Sequence, residues 1–217
     1  MMKAFLLCLA GAMAIVLTPA TQAATPSPGD ANAGKGKTAV CAGCHGANGA
    51  GLAPNFPNLA GLGEKYLLKQ LRDIQSGQRT VAEMTGLLKE LSPQDLADIA
   101  AYFAAQPRQW AGAKDDAKAM ALGATIYRAG NLDTGVPACT GCHSPVGNGN
   151  APAGYPALGG QHPEYLAKQL RAFRDGAHDA AWPGARNNDE NAIMRGVASH
   201  MTDQEIAAVA NFIGGLK

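Results

Sequence analysis

Two short runs in the 217-residue chain hold the side chains best suited to chemistry: Cys41-Ala42-Gly43-Cys44-His45 and Cys139-Thr140-Gly141-Cys142-His143. Each places two thiols three positions apart and an imidazole directly after the second. On one helical turn both thiols share a face, which suits thioether bonds to the two vinyl groups of a single porphyrin. The next histidine then lies beneath the macrocycle, where a neutral imidazole can bind iron. A redox disulfide and a zinc site draw on the same residue types. Two copies in matching surroundings favour two covalently bound haem c groups. Cys41, Cys44, Cys139 and Cys142 would attach them, with His45 and His143 as proximal iron ligands.

Histidine fills one axial position, so each iron needs another ligand. Met84 and Met194 follow their histidines by 39 and 51 residues and occupy corresponding places, each in an irregular stretch before a last helix. They are the expected distal ligands. Met201 matches Leu91 and reads as core filler, while Met120 has no counterpart. His162, His178 and His200 compete for the second iron, with His178 nearest an added segment. The first half has no histidine besides His45, so the repeat favours His/Met at both sites. That pairing raises the potential and closes the iron to oxygen or peroxide, which points to electron transfer. Carbonyls at Pro57 and Pro156 are placed to fix the histidine tautomers. Arg79 and Arg186 are candidate partners for haem propionates, solvent exposure being the alternative.

Composition narrows the address. Lys3, the apolar run Ala4 to Leu17 and the small residues around Ala23 and Ala24 form a secretory signal over residues 1–24. Cys8 leaves with it, so four cysteines remain, all within the two C-x-x-C-H runs. Without Lys3 the formal charges balance at 17 basic and 17 acidic residues, and no basic patch argues for nucleic acid. The product is expected to be an exported protein, peripheral to the membrane, monomeric and periplasmic.

The elements that must position these residues are helical. Glu64 to Ser76 carries Leu67, Leu68 and Leu71 among polar residues, and Gly77 is placed to stop it. Ser92-Pro93 opens a helix whose Leu96, Ile99, Ala100 and Phe103 form one apolar stripe. The pattern then recurs. Cys41 maps to Cys139 at an offset of 98, and Lys69-Gln70-Leu71 to Lys168-Gln169-Leu170 at 99. The offset reaches 110 by Met194, so about 11 residues are added after Arg174, and about nine more lead into Cys139. The stripe returns as Ile206, Val209, Ala210 and Ile213, behind a capping box at Thr202 and Glu205. Such additions change how much water reaches a haem, and two unequal positive potentials are expected. The reading is an all-α chain of two tandem domains, 25–112 and 113–217, each small enough to need haem as its core. Residues 106–118 link them, with Trp110 packed in the seam.

Several of these motifs together resemble the dihaem cytochrome c4 family. They are C-A-G-C-H-G and C-T-G-C-H-S, the loops N-F-P-N-L-A-G and G-Y-P-A-L-G-G, both Y-L-x-K-Q-L helices and the matched methionines. The resemblance spans essentially all of the mature chain. It implies two class I cytochrome c folds with haems facing across the seam. It also implies a carrier from a quinol-oxidising bc complex to a haem–copper terminal oxidase. An electron-accepting subunit of a periplasmic dehydrogenase, such as a sulfide or alcohol enzyme, is the alternative. A dihaem peroxidase or thiosulfate oxidoreductase would need an open iron, or a histidine or cysteine as sixth ligand, and no cysteine is spare.

Overall fold

The computed structural model describes residues 28–217, and the expected signal peptide lies outside the described residues. Among the described residues the regular structure is helical, with two isolated bridges, Asn131 to Val136 and Asn150 to Tyr155, and no strand. No helix among them is long and apolar enough to cross a membrane.

The N-terminal half uses α1 (Ala31–Lys35), α2 (Ala39–His45), α3 (Glu64–Gln75) and α4 (Pro93–Ala104). Five residues make a marginal helix in water, so α1 depends on tertiary support. Asp30 caps it by accepting from the Asn32 and Ala33 amides, and Asp30 N–H in turn donates to Asp98 on α4 at 2.9 Å. The two helices cross at Gly34, where a Cβ would lie 2.0 Å from the Asp98 carbonyl oxygen. α3 ends as the sequence predicts, with Gly77 at φ +80° just beyond its cap. α4 opens on a full capping box between Ser92 and Asp95, and its predicted stripe is buried.

The C-terminal half repeats the plan with α5 (Ala117–Ala129), α6 (Thr140–His143), α7 (Pro163–His178), α8 (Ile193–Ala198) and α9 (Asp203–Gly215). α5 crosses α9 at Gly123, where a Cβ would meet the Ala208 carbonyl at 2.2 Å. Thr202 and Glu205 form the second capping box. Met201 is buried in the core, as its match to Leu91 predicts. Met194 departs from expectation: it lies on α8, after a kink formed by left-handed Asn191 and Ala192.

The connecting stretch packs onto the C-terminal half. Ala111 N–H donates to the Gly160 carbonyl at 2.8 Å, and Lys114 and Asn211 exchange two hydrogen bonds. Trp110 stays half exposed but lies against Gly160, with the Arg108 guanidinium 5.7 Å from its ring centre. A buried pairing reinforces the seam. The Gln161 side-chain amide accepts from Asn58 N–H and donates to Asn58 O, both at 2.8 Å, so a side chain mimics a strand partner.

Candidate functional site

Each C-x-x-C-H run sits on a short helix that turns sharply at its end. After His45 the chain enters a positive φ at Gly46, and after His143 it does the same at Ser144 (φ 67°, ψ 159°). The turn sends the following loop back over the histidine. In that loop Pro57 O lies 2.9 Å from His45 Nδ1, and Pro156 O lies 2.9 Å from His143 Nδ1. A carbonyl only accepts, so Nδ1 carries the proton and Nε2 keeps its lone pair. Both rings are more than nine-tenths buried, at 8% and 7% exposed. Burial lowers both imidazole pKa values, partly opposed by the proline carbonyls, so the neutral, metal-binding form prevails.

A redox pair or a zinc site draws on an easily formed thiolate. Burial instead pushes the Cys41 thiol up, and that of Cys139 up to about 11. Among the described residues no cluster of histidine, cysteine and carboxylates is arranged to hold a metal ion.

The space around His45 fits a large planar apolar group. A cavity of about 980 Å³ is lined by Cys41, Cys44, His45, Pro57, Leu67 and Met84, among others. That is at the upper end of the ~300–1,000 Å³ range for ligand pockets. His45 and Met84 both line this cavity. In the second half Met194 is half-buried on α8, whose start is tied down by Asp189, which accepts from Arg195 N–H and pairs with its guanidinium at 2.7 Å. His178 and His200 are exposed, and His162 Nε2 faces the Gly51 carbonyl at 3.3 Å across the seam.

Where the cavity reaches the seam, Arg79 and Arg186 enter one network with near two-fold symmetry. Arg79 donates to Gln70 of its own half and to Tyr165 and Gln169 of the other, at 2.9–3.1 Å. Arg186 donates to Gln169 of its own half and to Tyr66 and Gln70 of the other, at 2.8–3.3 Å. Neither is a solvent-exposed arginine; Arg186 is 8% exposed. Burial disfavours the Tyr66 phenolate, but the Arg186 and Arg79 charges outweigh it and hold its pKa below the ordinary value. Asp73, beside the network, is paired with Lys69 and Asn188. This leaves the seam with excess positive charge facing the cavity, a setting that suits carboxylates. The repeat at offset 99 marks Tyr66, Gln70, Tyr165 and Gln169 in the sequence, although not their crossing partners. Asn58 and Gln161 occupy unmatched positions, so no sequence signal points to them.

Comparison with known proteins places the chain. The cytochrome c family profile matches residues 31–106 and 120–217. Cytochrome c4 of Pseudomonas aeruginosa is 50% identical over 94% of this chain and 97% of its own length. A thiosulfate dehydrogenase electron acceptor of Stutzerimonas stutzeri is 35% identical over 96% of this chain and 94% of its own. Reduced recombinant cytochrome c4 from Pseudomonas stutzeri has a similar structure, with a TM-score of 0.80, 51% identity, and coverage of 87% of this chain and all of that one.

Proposed function

The chain belongs to the dihaem cytochrome c4 family, and from that premise we propose that it is a periplasmic electron carrier with His45/Met84 and His143/Met194 as its axial ligand pairs. The haems are covalently bound to the two C-x-x-C-H runs and supply a reversible one-electron iron couple when in place. The protein's part is to hold each imidazole still, keep its proton on Nδ1 and exclude water. Pro57 and Pro156 do the first two through their carbonyls. Arg79 and Arg186 would neutralise haem propionates, and because each bonds residues of both halves they hold the two sites in one register. The single observation that supports the N-terminal ligand pair is that His45 and Met84 line the same cavity, and the repeat extends the pairing to His143 and Met194.

In this reading electrons arrive from a quinol-oxidising bc complex and leave to a haem–copper oxidase. The thiosulfate dehydrogenase electron acceptor at 35% identity favours a second reading, service to a periplasmic dehydrogenase. Gel filtration of the native protein distinguishes them: a free carrier elutes alone, an obligate subunit with a larger partner. The ligand assignment is tested by Met84→His and Met194→His. Each is expected to keep its haem six-coordinate and lower one potential, because imidazole stabilises ferric iron better than thioether does. Unchanged spectra of both haems in Met194→Ala would reject Met194.

A further inference from the structure

The extra residues of the C-terminal half can be placed by hydrogen bonding. Arg79 N–H donates to the Asp73 carbonyl and Arg186 N–H to the Ala172 carbonyl, so these pairs are structural equivalents. Five residues separate the first pair and thirteen the second, so eight of the additional residues fall between Ala172 and Arg186. They lengthen α7 by about a turn and then form a compact arm through Ala185. The arm is self-supported: Trp182 N–H donates to Asp179 O, Ala181 N–H to the Asp179 carboxylate, and Ala185 N–H to Trp182 O. Its base is anchored where the Arg186 guanidinium stacks 4.4 Å over Phe173 and bonds Tyr66 and Gln70 of the N-terminal half.

The arm lies over the other module. Ala180 through Ala185 line the cavity that holds Cys41, Cys44, His45 and Met84. Trp182 at its tip is 58% exposed, a large apolar side chain with no core of its own to fill. We propose that the N-terminal haem site is completed in trans by this arm, and that Trp182 shields that haem from water. The insertion therefore sets the potential of the N-terminal haem, not that of the haem in its own half. Removing apolar cover admits water, which favours the ferric state and lowers the potential.

Two variants of the full-length holoprotein test this. Removal of residues 177–184 leaves Phe173-Arg174-Asp175-Gly176-Ala185, matching Ile74-Gln75-Ser76-Gly77-Gln78 in length and in glycine position. Trp182→Ala changes no charge and decides the matter alone if the deletion does not fold. The readout is a redox titration followed by nuclear magnetic resonance, with each haem assigned through contacts from its thioether protons to Cys41 or Cys139. Both variants are expected to raise the oxidised-to-reduced ratio of the N-terminal haem several-fold at fixed potential. The C-terminal ratio should stay unchanged, and Trp182→Phe should retain the native value. A shift confined to the C-terminal haem, equal shifts in both, or none would overturn the proposal. The inference rests on a haem in the N-terminal cavity and not on the ligand or partner assignments. Failure of the ligand assignment would appear in the spectra of the unaltered protein, which the arm does not decide.

Discussion

The two halves follow one plan but fill it differently. The central cluster of the N-terminal half has four buried apolar residues, Leu67, Ile99, Ala100 and Phe103. That of the C-terminal half has twelve, including Ile126, Tyr127, Ile206 and Phe212. The difference begins at the first helix: α1 has five residues and α5 thirteen. A module with little protein core and a large cavity depends on its haem for burial, whereas one with a fuller core depends on it less.

The comparison breaks most visibly at the attachment cysteines. Cys41→Ser with Cys44→Ser is expected to unfold the N-terminal half, a loss comparable to a small module's whole stability, roughly 5 kcal/mol. Cys139→Ser with Cys142→Ser should lose its haem yet keep most of its helix. Haem content and far-ultraviolet circular dichroism read both outcomes; equal loss of helix in the two would refute the contrast.

Next comes the seam. Gln161→Leu leaves the buried Asn58 N–H and C=O unpaired and should cost roughly 2–4 kcal/mol. Denaturant unfolding should then resolve two transitions, one for each half.

Acid offers a smaller effect. Asp95 and Asp98 are both held at about 2, Asp95 chiefly by Lys37 and Ser92, and Asp98 chiefly by the Asp30 amide and Lys37. A depressed carboxylate stabilises above its unfolded value and loses that contribution as pH falls through the folded value. The N-terminal half should therefore weaken between about pH 4 and pH 2. Asp98→Asn should flatten that slope, seen as a smaller acid-induced drop in melting temperature. The C-terminal half has Ala208 at the position matching Asp98, and its own lowered carboxylates are Glu164, Asp203 and Glu205.

The smallest expected change concerns the turn after each histidine. Ser144 occupies a conformation that suits glycine, which its counterpart Gly46 provides. Ser144→Gly relieves that strain but gives up the bond its Oγ accepts from Asn148 N–H, so C-terminal stability should rise by less than about 1 kcal/mol. Thermal unfolding measures it.

Local chemistry was what the sequence made legible. Periodicity and caps located α3, α4 and α9, because helix ends are fixed by nearby residues such as Ser92, Gly77 and Thr202. The repeat separated Met201, a core residue, from Met84, which lines the cavity. What stayed hidden was long-range. The Asn58–Gln161 pairing joins residues 103 apart that the repeat does not match. Arg79 and Arg186 stood out as charges, but their exchange of partners across the seam follows from how the halves dock. The added segment was visible as an offset, yet only the fold carries it onto the opposite cavity. The sequence places Met194 in an irregular stretch, whereas α8 begins at Ile193, directly after left-handed Asn191 and Ala192.

Everything proposed for this chain follows from two haems, each held between a histidine and a methionine. A redox titration of the purified protein, with electronic spectra at each step, tests it most directly. Two one-electron steps are expected, both at positive potential, with methionine-bound ferric spectra at both haems. A strongly negative step, or a ferric spectrum typical of two imidazoles or of an open iron at either haem, would contradict it.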